Sequence, residues 1–289
     1  TFPVGTTTNI FEVTDAAGNK TTCSFTVTVV DNQSPTITCP ANITTAKTSN
    51  DGLGNCTTTV ALGNPTVSDN CTAVSSLIIT NNAPINFPIG LTIVTWTVKD
   101  AANNTSTCTQ NVTVIDDEAP SINCPANVQL VANAGCTATT VLVTPTAMDN
   151  CSVASVTNDA PIAFPLGNTT VTWTVTDGAG NTATCTQIVE VLDETLPTAK
   201  CKDISVNLNA AGTASITAAD INNNSTDNCG IASLVASKTT FNCSNIGANT
   251  VTLTVTDTSG NVSSCTATVT IFDVTPPVAL CKPFTLNLN

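Results

Sequence analysis

The tripeptide Asp-Asn-Cys stands at three places in this 289-residue chain: Asp69–Cys71, Asp149–Cys151 and Asp227–Cys229, 80 and then 78 residues apart. A carboxylate, an amide and a thiol side by side suit three kinds of chemistry: a metal site, a disulfide, or a turn closed by side-chain bonds to nearby backbone. The chain holds 14 Cys and no His, and no C-x-x-C pair occurs, so the ligand spacing of zinc sites is missing. Disulfides are the expected use of the cysteines, which points to an extracellular, cell-surface protein.

Composition closes off other chemistries. Seven Lys, no Arg, no His and no Tyr leave no means of building a Ser-His-Asp or Cys-His site. No catalytic residues are expected and the segment is read as non-enzymatic. A net charge of −13 excludes nucleic acid as a partner. No apolar run approaches the roughly 20 residues of a membrane span, and no secretory signal is read at the start. Thr, Asn, Ser and Val dominate, and they favour strands and turns.

The elements that carry these residues repeat. The turn "TDAAGN" at Asp15 returns as "KDAANN" at Asp100, "TDGAGN" at Asp177 and "TDTSGN" at Asp257. An alternating strand precedes each turn, and a second strand with one Cys follows. Alternation places Val171, Trp173 and Val175 on one face, with Phe11, Trp96, Trp173 and Leu253 in one core-filling column. Linkers carrying an acid and a proline separate the copies: "VVDNQSP", "VIDDEAP", "VLDETLP" and "IFDVTPP". The expected organisation is the later half of a repeat over 1–31, whole repeats over 32–116, 117–193 and 194–273, and the first strand of another over 274–289. Each whole repeat has six or seven strand-like runs and frequent turn signals. The fold class is all-β, with tandem Ig-like sandwiches of about 80 residues arranged as a rod.

The order C-P-A-N, an Asp-Asn loop, F-P-x-G, T-V-x-W-x-V-x-D-x-x-G-N and C-x-x-x-V-x-V resembles the hyalin-repeat (HYR) family. The resemblance covers nearly the whole chain and implies an Ig-like, extracellular, adhesion-associated protein. Its Cys- and Asn-Thr-rich copies look like those of large Bacteroidetes-type bacterial surface proteins. Repeats one and two place cysteines alike, at Cys39, Cys56, Cys71, Cys108 and at Cys124, Cys136, Cys151, Cys185. Repeat three keeps Cys201, Cys229 and Cys265, loses the second cysteine at "NAAGTASIT" and gains Cys243 at "FNCSNIG". That exchange predicts inner pairs Cys56–Cys71, Cys136–Cys151 and Cys229–Cys243. It leaves outer pairs Cys39–Cys108, Cys124–Cys185 and Cys201–Cys265, which tie first strand to last, as the resemblance also implies. Cys23 and Cys281 are left without partners.

Tracing a sandwich brings the linker, the Asp-Asn-Cys loop and the Asp-led turn to one end of each repeat. Asp31, Asp69 and Asp100 then gather in repeat one. Asp116, Asp117, Glu118, Asp149 and Asp177 gather in repeat two, and Asp193, Glu194, Asp227 and Asp257 in repeat three. Carboxylates so placed repel one another unless a cation joins them, and hard oxygens in irregular loops suit Ca²⁺. Turn chemistry alone also accounts for Asp100 and Asp177, and Asn103 stands where the other turns have a Gly, a residue suited to positive φ. Both readings stay open at this level. As a whole the sequence is read as a disulfide-stabilised stalk or filament of a surface adhesin. Its partners are neighbouring repeats, other copies of itself, or a surface glycan or protein. The rival readings are Ig-like recognition of glycan or protein through loops and, lower, ice binding by Thr faces.

Overall fold

The computed structural model describes residues 1–283, 285 and 286, with the backbone alone at 50 and 51. The fold is all-β, built of tandem Ig-like sandwiches, and the chain divides into two compact units. Among the described residues no helix is long and apolar enough to cross a membrane.

The first unit comprises Thr1–Asn123 with Thr146–Val156 and Thr174–Thr184. Its main sheet runs in the order Ile43–Lys47, Thr105–Ile115, Gly90–Lys99, Ile78–Asn81. The first pair is parallel and the others antiparallel. The facing layer pairs Thr36–Thr38 with Thr66–Ser68, and Thr57–Thr58 with Phe87–Pro88. β-Branched residues alternating with Thr suit a surface buried on one side only. Val94, Trp96 and Val98 accordingly point inward, against Val112, Val114, Phe87, Val67 and Leu77. Fully burying each such side chain stabilises by about 1.5–3 kcal/mol. The Trp96 indole N–H donates to Gln110 Oε1 at 3.1 Å, and Gln110 Nε2 donates to Ala41 O and Leu62 O at 2.7 and 3.0 Å. A buried amide thus satisfies the indole and ties two loops to the sheet. Cys39–Cys108 bridges the same layers. The hairpin Gly5–Thr14 with Lys20–Val29 opens the unit. Its Phe11 stacks on Phe25 and is 56% exposed, although it shares a column with buried Trp96, because no second layer faces it among the described residues.

The second unit comprises Cys124–Pro145, Thr157–Trp173 and Cys185–Asn289. Its main sheet has the order Ile204–Asn207, Val262–Phe272, Gly247–Asp257, Ile231–Ala236, again parallel only at the first pair. Thr213–Ser215 pairs with Thr240–Asn242 across the core. A single helical turn, Ala218–Ile221, drives Ile221 into a core with Ile216, Leu208, Leu253 and Ala267. Cys201–Cys265 and Cys124–Cys185 are both closed in this unit. Here too lie Trp173, donating to Gln187 Oε1 at 3.1 Å, and the donation from Gln187 Nε2 to Ala126 O at 2.6 Å. No strand forms among the described residues beyond Phe272, where the sequence predicts one over 274–289; Phe284 and 287–289 lie outside the described residues.

Candidate functional site: the acidic clasps

Each residue of the Asp-Asn-Cys tripeptide has its own task. The Asp folds the loop. One of its oxygens accepts two successive backbone N–H groups: Cys71 and Thr72 on Asp69 (2.9 and 2.7 Å), Cys151 and Ser152 on Asp149 (both 2.8 Å), Cys229 and Gly230 on Asp227 (2.7 and 3.1 Å). In Asp69 these bonds, from Thr72 first and then Cys71, hold the carboxyl below its ordinary pKa. In the second and third copies the Asn reaches the preceding repeat. Asn228 Nδ2 donates to Asn133 O and to the linker carboxylate Asp193, both at 3.2 Å, and Asn150 Nδ2 approaches Asn55 O and Asp116 at 3.5 Å. In the second and third copies the Cys bonds to the preceding repeat covalently: Cys56–Cys151 within the first unit and Cys136–Cys229 within the second.

These bridges overturn the expected pairs Cys56–Cys71, Cys136–Cys151 and Cys229–Cys243, and they leave Cys71 and Cys243 free and exposed, together with Cys23 and Cys281. Repeat one supplies the physical reason. Thr57 pairs with Pro88, beside the start of strand Gly90–Lys99, whereas Asp69 meets Asp100 at its finish. A ten-residue strand, roughly 30 Å long, separates Cys56 from Cys71. Bridged cysteines need Cα atoms within about 7 Å. Cys56 is therefore placed for the next repeat's loop, and its Cα lies 4.5 Å from that of Cys151.

Of the expected acidic groups, Asp31, Asp69 and Asp100 converge, as do Asp193, Asp227 and Asp257, each set with one oxygen per residue within 4.8 Å of the others. Asp116 and Asp149 converge likewise, with the bridged Cys151. Asp177 stays outside that tight group. It closes its own hairpin, while Asn181 Nδ2 joins it to the linker at Asp116 O. Asp117 turns instead to Lys47 Nζ at 3.1 Å and to Ser49, the Lys47 bond first among the causes that lower its pKa. Glu118 and Glu194 also lie outside the three groups. The hairpin acids are internally satisfied: Asp100, Asp177 and Asp257 take the backbone N–H and side-chain amide of Asn104, Asn181 and Asn261 at 2.7–2.9 Å. Asn103 has φ 76°, the conformation that Gly180 and Gly260 supply in the other turns.

Other oxygens are not satisfied. Asp31 Oδ2, Asp69 Oδ1, Asp116 Oδ2, Asp149 Oδ1, Asp227 Oδ1, Asn150 Oδ1 and Asn228 Oδ1 are buried and take no hydrogen bond from the described residues. Buried acceptors left so are costly, and these are hard oxygens clustered without a lysine, the donor set a divalent cation takes. The Trp partners have a sequence signal of their own: Gln110 and Gln187 follow Trp96 and Trp173 by 14 residues, and Ala267 stands at that distance from Leu253.

The HYR domain profile matches this chain over 1–29, 30–114, 115–191 and 192–271. Among curated proteins, hyalin of Strongylocentrotus purpuratus is 34% identical over 273 residues, covering 90% of this chain and 22% of the hyalin. Hyalin of Lytechinus variegatus is 33% identical over 244 residues, or 81% of this chain and 46% of that protein. The chain thus spans less than half of either relative. Both are animal proteins and give no support to the expected bacterial source. Among solved structures, mouse cadherin-23 EC22-24 aligns with 84% of this chain and 100% of that one at 12% identity, with a TM-score of 0.37.

Proposed function

Because this chain belongs to the HYR domain family, we propose that its repeats are a non-enzymatic extracellular stalk of an adhesive surface protein or filament, built to carry tension. The observation behind this is the interleaving of the five disulfides. Cys39–Cys108, Cys56–Cys151, Cys124–Cys185, Cys136–Cys229 and Cys201–Cys265 each overlap the next in sequence. Between Cys39 and Cys265 every stretch of backbone is therefore bypassed by a bridge. The boundaries 32–116, 117–193 and 194–273 are the units this reading assigns, and the linkers at Pro120 and Pro197 are each spanned by a disulfide clasp that limits bending. Single-molecule pulling tests it. Without reductant, no extension step of a whole repeat, about 80 residues or roughly 280 Å, is expected. Reductant should restore such steps. Full-length steps from the oxidised chain would refute the reading.

The same reading places Ca²⁺ at the clasps. Asp31, Asp69 and Asp100, then Asp116 and Asp149 with Asn150, then Asp193, Asp227 and Asp257 with Asn228 would hold it, each ion neutralising a linker acid against a loop acid. The support is the set of buried carboxylate and amide oxygens without a donor. Calcium should raise the melting temperature, EDTA should lower it, and Asp116→Asn should shrink the difference. Equal melting curves in calcium and EDTA would leave the acids as turn formers.

A further inference from the structure

We propose that Cys243 is the clasp cysteine of repeat three, and that its partner is the Asp-Asn-Cys cysteine of an HYR repeat that follows. The inference deepens the clasp reading above and rests on it.

The turn that carries Cys136 in repeat two is rebuilt in repeat three without its cysteine. Asn133 N–H donates to Thr137 O and Cys136 N–H to Asn133 O, at 2.7 and 3.0 Å. Asn209 N–H donates to Thr213 O and Gly212 N–H to Asn209 O, both at 2.9 Å. Asn133 and Asn209 each accept a further N–H two residues on, from Gly135 and Ala211. Cys136 has φ 56° and Gly212 φ 73°. Gly212 is thus the positional counterpart of Cys136. A Cβ added to Gly212 would lie 2.8 Å from Cys243 Sγ. The thiol of Cys243 fills the place that the missing side chain would take.

The local sequence puts it there. Strand Thr240–Asn242 pairs with Thr213–Ser215, Asn242 facing Thr213. Asn242 Oδ1 then accepts from Ser244 N–H at 2.9 Å and turns Cys243–Asn245 into a 3-10 turn, where the first two repeats run directly from Phe-Pro into the next strand. Cys243 opens onto a cleft of about 530 Å³ that Asn209 and Gly212 share with Asp273, Thr275 and Pro276 of the following linker. That linker opens with the same turn as its clasped counterparts. Asp273 Oδ1 accepts from Thr275 N–H at 3.0 Å, as Asp116 does from Glu118 and Asp193 from Thr195. Thiol position and linker turn therefore match those where a clasp is closed, and the cleft leaves the thiol open to an incoming loop.

Closure needs a disulfide oxidant such as oxidised glutathione. The Cys243 thiolate displaces one glutathione thiolate to form a mixed disulfide, and the partner thiolate then attacks the Cys243 sulfur and expels the second. Two thiol protons and two electrons leave the protein, and two reduced glutathiones form.

A tandem chain tests this with the protein's own repeats: residues 1–273 followed directly by 32–116 of a second copy, whose Cys71 becomes the incoming cysteine. After oxidation in glutathione buffer, non-reducing peptide mapping should recover a Cys243–Cys71 pair in the same yield as Cys136–Cys229, with alkylation of Cys243 lost. Cys243→Ser should leave that Cys71 alkylatable, and the double change Gly212→Cys with Cys243→Ser should close the bridge again from position 212. Cys243 remaining alkylatable beside an intact Cys136–Cys229 would overturn the proposal alone. An open Cys136–Cys229 in the oxidised chain would overturn the clasp reading itself.

Discussion

Repeats two and three solve the same two problems with different residues. In repeat two the core is plugged by Trp173, whose indole is satisfied by buried Gln187. Repeat three has Leu253 and Ala267 at those places, both buried, and adds Ile221 from a helical turn closed by Thr217 and Asp220. In repeat two the outgoing clasp comes from Cys136, and in repeat three its place is taken by Cys243, from the turn after a neighbouring strand. What is kept in the core is a filled volume with its polar atoms paired, and at the clasp a sulfur at one place in space, not a residue at one place in the sequence. A buried donor and its acceptor come and go together, since removing one alone leaves the other unpaired.

The largest break in that comparison should come from the core. Trp173→Ala leaves both a cavity and an unpaired Gln187, and is expected to cost about 3–5 kcal/mol. Leu253→Ala leaves only a cavity, at about 2–5 kcal/mol, partly offset if Ile221 relaxes into it. Because three repeats need not unfold as one, hydrogen exchange of the strand amides in each repeat is the measurement. Gln187→Leu is smaller, about 1–3 kcal/mol, from stranding the Trp173 N–H and the Ala126 carbonyl. Its cost should fall in a Trp173→Leu background. Equal costs in both backgrounds would mean that the indole–amide bond contributes nothing.

Acid should weaken both repeats through the same hairpin. At Asp177 and Asp257 burial raises the carboxyl pKa, but the amide and backbone N–H of Asn181 and Asn261 and neighbouring turn amides outweigh it, so both lie below their ordinary value. A folded pKa below the unfolded one gives stability present above about pH 3.9 and lost as pH falls through the folded value. Asp177→Asn and Asp257→Asn keep the backbone acceptor and remove the titration. The double variant should therefore lose less stability between neutral pH and pH 3 than the parent, read by circular dichroism. An unchanged acid limb would assign the loss to other carboxylates.

The sandwich was legible because Val-x-Trp-x-Val and Thr alternation, Asp-led turns and Pro linkers each recur with one period, and burial follows that alternation. The acidic groups were legible for the same reason, since topology alone brings Asp31, Asp69 and Asp100 to one end. The inner disulfides were not. Position along the chain says which cysteines are equivalent, but Cys56 and Cys71 sit at opposite ends of a strand pair, and only the length of that strand forbids their bond. An exchange of Cys136 for Cys243 shows that two sites share a neighbourhood; it does not show whether the partner lies in the same repeat or the next. The side-chain economy of the clasp was hidden as well. Asp149 spends one oxygen on its loop and leaves the other bare, which no pattern of residue types reveals.

The smallest expected effect lies in the hairpin turns and sharpens the comparison at single-residue scale. Asn103 in repeat one holds φ 76°, where Gly180 of repeat two holds 97° and Gly260 of repeat three 92°. An L residue meets steric cost in this region, and Asn tolerates it better than most because its short side chain bonds locally. Asn103→Gly removes that cost but adds backbone freedom to the unfolded chain, so the two terms oppose each other. With the turn otherwise held by Asn103 N–H to Asp100 O and by Asn104 on Asp100, relief of the steric term should prevail by at most about 1 kcal/mol. Asn103→Ala keeps the left-handed backbone but with a residue that tolerates it less well than Asn, so it should destabilise instead. Opposite signs for the two variants, read from exchange of the Thr105–Ile115 amides, would show that conformation and not side-chain contact selects the residue at this turn.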